Sequence, residues 1–168
     1  RRSHLMIVLD TEPEVFATDD EFELAVSAAA SLGVRAIRDT RDLSVLVSAD
    51  ARPAATGRLS ALREAARELA SRRRAERGSA PARIRALSTV SRDRLLDELS
   101  GVHVQEGSPN VVELSRLASA QAADVSIVFL VTGASVDSKT LHSASAAFPA
   151  GVEVVVVSCA PEASPVTR

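Results

Sequence analysis

Short unbroken apolar runs alternate along this chain with longer stretches in which apolar residues return every three or four positions. The first run, Leu-Met-Ile-Val-Leu at 5–9, ends in Asp10. A continuous run of that length fits a strand buried on both faces. The acidic stretch 11–20, interrupted by Pro13, reads as a loop, with Asp19 or Asp20 placed to cap the helix that follows. In that helix Phe22, Ala25, Val26, Ala29, Gly33, Val34 and Ile37 recur at helical spacing, and the small residues at 28–31 let it lie close to a sheet. Residues 43–47 predict a second strand. Beyond the breaks at Pro53 and Gly57, residues 58–74 set Leu59, Leu62, Ala66 and Leu69 on one face and Arg or Glu on the others. That is an amphipathic helix, and 75–82 reads as a linker.

Residues 83–90 predict a strand at a sheet edge. Ser91 caps a helix over 92–100, with Leu95, Leu96 and Leu99 inward and Gly101 at its end. After the Gly107-Ser108-Pro109-Asn110 turn, Asn110 caps a helix running to about 121, with Val111, Leu114, Leu117 and Ala118 inward. Residues 125–131 are the strongest strand signal of all. Asp137 or Ser138 opens a further helix, with Leu141, Ala144, Ala147 and Phe148 on its core face, stopped by Pro149 and Gly151. Residues 152–158 predict a last buried strand. Strands alternating with helices, three of the strands nearly all apolar, predict an α/β fold: a three-layer, Rossmann-like, mostly parallel sheet with helices on both faces. Residues 1–160 are expected to form this single domain, with a helical insertion at about 57–82 and a loose tail over 161–168.

Composition narrows the picture. The chain has 168 residues, 46% hydrophobic and 25% charged, and a net charge of −2. That length suits one domain, and no apolar run approaches the ~18 residues of a membrane span. Cys159 is the only cysteine, which excludes an internal disulfide framework and a Cys-rich zinc site and fits a reducing, cytoplasmic setting. Lys139 is the only lysine among 20 basic residues, and alanine is abundant, a bias that points to a high-GC bacterial genome. The chain opens on Arg1 without the pattern of a signal peptide, so a longer parent protein is expected. Residues 58–94 hold 11 arginines against four acids, whereas the first 23 residues hold seven acids. No Trp or Tyr offers a stacking platform, the four Phe sit at core-like positions, and Glu64 and Glu68 offset Arg67 and Arg72. The basic region is therefore expected to be a solvated helix face, not a nucleic-acid surface.

Candidate chemistry belongs at the carboxyl ends of the strands, where ligands gather in such folds. Asp10, Glu12 and Glu14 stand there at alternating positions. They would either converge on a hard divalent cation or form a solvated acidic loop. No Gly-x-Gly-x-x-Gly and no phosphate loop is present. Gly133-Ala134-Ser135-Val136 begins like a nucleophile elbow, but Asp137 stands where the second glycine belongs. His4, His103 and His142 are scattered, and Cys159 has no neighbouring cation to activate it.

The segments Arg1-Arg2-Ser3-His4-Leu5-Met6-Ile7-Val8-Leu9-Asp10-Thr11, Leu95-Leu96-Asp97-Glu98-Leu99-Ser100-Gly101-Val102 and Val128-Phe129-Leu130-Val131-Thr132-Gly133, with the helix at 114–121, carry a resemblance. In them the chain resembles the von Willebrand factor A-like domain of a bacterial family, domain-of-unknown-function family fifty-eight. The resemblance covers nearly the whole chain in element order. In von Willebrand A domains an Asp-x-Ser-x-Ser loop after the first strand binds a divalent metal, helped by a later Thr and a later Asp. Asp10 matches the first position, Glu12 and Glu14 replace the two serines, Ser108 stands in for the Thr, and Thr132 takes roughly the place of the later Asp. The resemblance therefore implies a degenerate metal loop, with Mg²⁺ as the cation if one binds. It also implies a module working with a MoxR-type AAA ATPase in assembly or chaperone-like complexes, in a parent protein with membrane helices ahead of this domain. The leading expectation is a non-enzymatic protein-interaction module whose contact surface is Asp10, Glu12, Glu14 and Thr132. Its rivals are a divalent-cation-dependent adhesion-type module and a hydrolase using Ser135 or Ser158.

Overall fold

A computed structural model describes residues 3–48 and 84–160. The helix expected over 58–74, the linker over 75–82 and the tail over 161–168 lie outside the described residues. Among the described residues five strands form one sheet: β1 (His4–Leu9), β2 (Asp42–Ser48), β3 (Ile84–Leu87), β4 (Val125–Gly133) and β5 (Glu153–Cys159). Their order is β3-β2-β1-β4-β5. β1 runs parallel to both β2 and β4, β4 runs parallel to β5, and β3 alone is antiparallel, pairing with β2 so that Ser48 faces Ile84. The fold is α/β with a mostly parallel sheet, as the alternation of elements predicts; the strand expected over 83–90 is shorter, Ile84–Leu87, and among the described residues it sits at an edge as expected.

Among the described residues four helices cover the sheet: α1 (Asp19–Arg38), α2 (Arg92–Ser100), α3 (Val111–Ser119) and α4 (Ser138–Ser145). The period-two alternation of β1 separates two cores. Ile7 and Leu9 point with Val45, Val47 and Val131 toward α1 and α2, where Phe22, Ala25, Ala29, Leu95 and Leu99 meet them. Met6 and Val8 point the other way, with Leu46, Val128 and Leu130, onto Val111, Leu114 and Ala118 of α3, Ala144 of α4 and Phe148 just beyond it. Among the described residues no helix is long and apolar enough to cross a membrane.

Two expectations are corrected. The 152–158 run is an edge strand, and its four valines are only half-buried because β4 flanks it on one side alone. The cap of α1 is Thr18, whose hydroxyl accepts from the Glu21 N–H at 3.2 Å; Asp19 and Asp20 are already helical and lie in the first turn, where the helix dipole favours acids. Ser91, Asn110 and Asp137 do cap α2, α3 and α4.

Candidate functional site

Strand order reverses at β1. The chain moves from β1 to β2 on one side and later returns to β4 on the other, so the crevice between the carboxyl ends of β1 and β4 is the switch point where an open α/β sheet can receive a ligand. The last rung on the α3–α4 face is polar. Ser48 follows Val47, the partner of Leu9, and so stands beside Asp10; Thr132 lies across from Asp10 and pairs with Ser158.

Asp10 does not reach the surface. It is 0% exposed, as is Thr132. Its backbone N–H extends the β1–β4 ladder by donating to the Val131 carbonyl at 2.9 Å. Its Oδ1 accepts from the Glu12 N–H at 3.0 Å, an Asx-turn that bends the chain off the strand, and its Oδ2 accepts from the Thr132 hydroxyl at 2.8 Å. Burial pushes the Asp10 carboxyl up to about 6, against the pull of those bonds from Glu12 and Thr132 and one from the Thr11 N–H. Asp10 and Thr132 are therefore structural partners of each other, and the expectation that both belong to a contact surface is corrected.

The divalent cation implied by the resemblance does not fit these residues. Both Asp10 oxygens are engaged inside the protein, and Asp10, Glu12 and Glu14 do not come together as a ligand set; among the described residues no three His, Cys, Asp or Glu side chains do. Ser108, the stand-in for a metal-ligating threonine, shares a hydrogen bond with the Thr11 hydroxyl at 3.1 Å instead. With the Gln105 N–H donating to the Thr11 carbonyl at 2.9 Å, that pair ties the loop before α3 to the end of β1.

Glu12 and Glu14 remain accessible, half-buried and exposed respectively. Partial burial and the neighbouring Glu14 charge both hold the Glu12 carboxyl above its usual range. They line an open cleft of about 190 Å³ with Val15, Asn110, Val111, Ser135, Val136, Asp137 and Thr140. Asp137 caps α4, accepting from the Thr140 hydroxyl at 2.7 Å and its N–H at 2.9 Å, and these bonds hold its carboxyl below the usual carboxylate range. The cleft thus has three acids on its rim, two hydroxyls and an amide for orientation, and valines on its walls. It is smaller than the roughly 300–1,000 Å³ typical of small-molecule pockets, and suits a single side chain better than a metabolite.

One wall of the cleft is a single 3-10 turn, Pro13–Val15, seated hard against the end of β4. A Cβ on Gly133 would lie 1.9 Å from the Val15 carbonyl oxygen, so only glycine permits this seat. The Val15 carbonyl also accepts from the Ser135 N–H at 3.2 Å. Behind it lies Glu21, 1% exposed, a carboxylate that the sequence reading passed over. Its Oε2 accepts from the Ala17 N–H at 2.9 Å and its Oε1 from the Ala134 N–H at 2.7 Å. Two signals could have found it: the Thr18-x-x-Glu21 spacing of a capping box, and the i, i+4, i+8 placement of Glu21 with Ala25 and Ala29 on the core face.

Among the described residues the Ser135 hydroxyl has no hydrogen bond to a histidine or carboxylate. The Ser158 hydroxyl lies 3.4 Å from the Gly133 carbonyl. His4 pairs with Ser44 at the opposite end of the sheet, at 2.8 Å, and His103 and His142 are exposed. Cys159 is buried, and burial together with the Glu21 charge pushes its thiol up, away from the reactive thiolate. Neither protein-family models nor curated protein sequences give a match to this chain.

Proposed function

We propose that this chain is a non-enzymatic protein-interaction module of a bacterial protein, von Willebrand factor A-like in design, that engages its partner through the acidic cleft at the switch point. The observation that carries this reading is the placement of Glu12, Glu14 and Asp137 around a concavity of about 190 Å³ at the β1–β4 crevice. Acids at a rim steer and select a basic partner surface more than they add raw affinity. The volume accommodates one basic side chain, and the valine walls would flank its aliphatic stem. A MoxR-type AAA ATPase is the partner class that the resemblance implies, in an assembly or chaperone-like complex. The cation-dependent reading is set aside because Asp10, Glu12 and Glu14 do not gather as a ligand set among the described residues.

Titration of a purified MoxR-type ATPase from the same genome into this chain tests the proposal. A saturable complex is expected that weakens as salt rises and loses about tenfold in affinity in the Glu12→Gln/Glu14→Gln double variant, in line with two rim charges. No complex with the ATPase, or one indifferent to both substitutions and to salt, would overturn it.

A further inference from the structure

A buried carboxylate without a cationic partner among the described residues needs a reason, because burying a charge is costly unless hydrogen bonds replace its water. Glu21 has such bonds, and what they join is informative. The Ala17 N–H belongs to the segment leading from the 3-10 turn into α1, and the Ala134 N–H to the loop leading from β4 into α4. Both segments contribute to the lining of the acidic cleft, Glu14 and Val15 from the first and Ser135 and Asp137 from the second, and the Ser135 N–H to Val15 carbonyl bond already joins them once. Both need an acceptor at one point, and only a carboxylate presents two accepting oxygens there; an amide presents one. The position of Glu21 in the first turn of α1 adds the helix dipole to its stabilisation. The cap itself does not require this reach. In a capping box the acid returns to the cap residue's own N–H, whereas Glu21 spans from Ala17 across to a loop 113 positions away in sequence.

We infer that Glu21 is the positioning residue of the acidic cleft, a clasp that holds together the two segments lining it. The inference rests on the reading of the cleft as a binding site, and its structural half can be tested without any ligand. In the full chain the Ala17, Ala134 and Ser135 amides should exchange with solvent as a group, with matching protection. Glu21→Gln should remove one of the two bonds and speed exchange at Ala134 and Ser135 about tenfold, as expected when a local opening becomes easier, with β1 and β4 amides unchanged. A tri-arginine peptide serves as the probe of the cleft. Its affinity should fall several-fold in Glu21→Gln with Ser135 exchange accelerated, whereas Glu12→Gln/Glu14→Gln should weaken the peptide and leave Ser135 exchange alone.

Unequal protection of the three amides in the wild-type chain would overturn the clasp, and this holds even if Glu21→Gln fails to fold. So would a folded Glu21→Gln protein with unaltered exchange at Ala134 and Ser135. Failure of the wild-type chain to bind tri-arginine would count against the cleft as a site for basic groups, while the exchange result still decides what Glu21 does.

Discussion

At the scale of single residues, the acid at the end of β1 is the group whose chemistry differs most from its solution behaviour. Asp10 holds its proton up to about pH 6 when folded, against an ordinary value of 3.8. Between those two values the unfolded chain has released the proton and the folded chain has kept it. Folding then binds the proton, so the Asp10 contribution to stability falls as pH rises through this window and stays low above it. A shift of that size corresponds to a few kcal/mol, on the order of 3 at most. Asp10→Asn keeps an acceptor for the Glu12 N–H and can donate to the Thr132 oxygen without burying a charge. The variant should be more stable than wild type at pH 8, by roughly 1–3 kcal/mol, with the difference shrinking as pH drops toward 4. Urea unfolding at several pH values measures this, and a variant less stable at pH 8 would refute the assignment. Asp10 was recognisable from sequence as a special position, a carboxylate closing an apolar run. Its role was not, because the choice between rim ligand and buried hub depends on Thr132, which is 122 positions away.

At the scale of elements, two glycines make different demands. Gly33 sits inside α1, where an added Cβ would come within 2.6 Å of the Leu95 Cδ2, the movable end of a side chain. Gly133 faces the Val15 carbonyl, which is backbone and cannot yield without dislodging the 3-10 turn. Gly33→Ala should change stability by no more than about 1 kcal/mol, since gained helix propensity offsets crowding. Gly133→Ala should cost about 3 kcal/mol or more and abolish protection of the Ser135 amide. Chemical denaturation with amide exchange separates the two, and equal costs would count against the packing argument. Element positions to within a few residues and the caps Ser91 and Asn110 were readable, with Asp137 one of two residues offered for its helix, because periodicity and capping chemistry are local. Thr18 was overlooked because two aspartates beside it are also good caps. The exposure of β5 was unreadable for another reason: four consecutive valines look alike whether a strand has one neighbour or two.

For the whole molecule, what periodicity left open was strand order, since alternating elements fix parallel pairing but not which strand lies in the middle. β1 takes the centre, and that puts Glu12 and Glu14 at the crevice and Asp10 beneath it. The same order sets β3 against β2 in the opposite direction, with Ile84 facing Ser48. The two ends of the described chain that flank residues 49–83, Ser48 and Ile84, therefore face each other on one rung. Joining Ser48 to Ile84 through Asn-Gly would make a two-residue hairpin, the connection that antiparallel neighbours favour. The shortened chain should unfold in one cooperative transition, because the turn rejoins β2 and β3 in the antiparallel register they already keep. Loss of cooperativity would show that the excised stretch is part of the folding unit. If the splice succeeds, evolution has here a socket into which unrelated cassettes can be exchanged, leaving the acidic crevice on the other flank of β1 undisturbed.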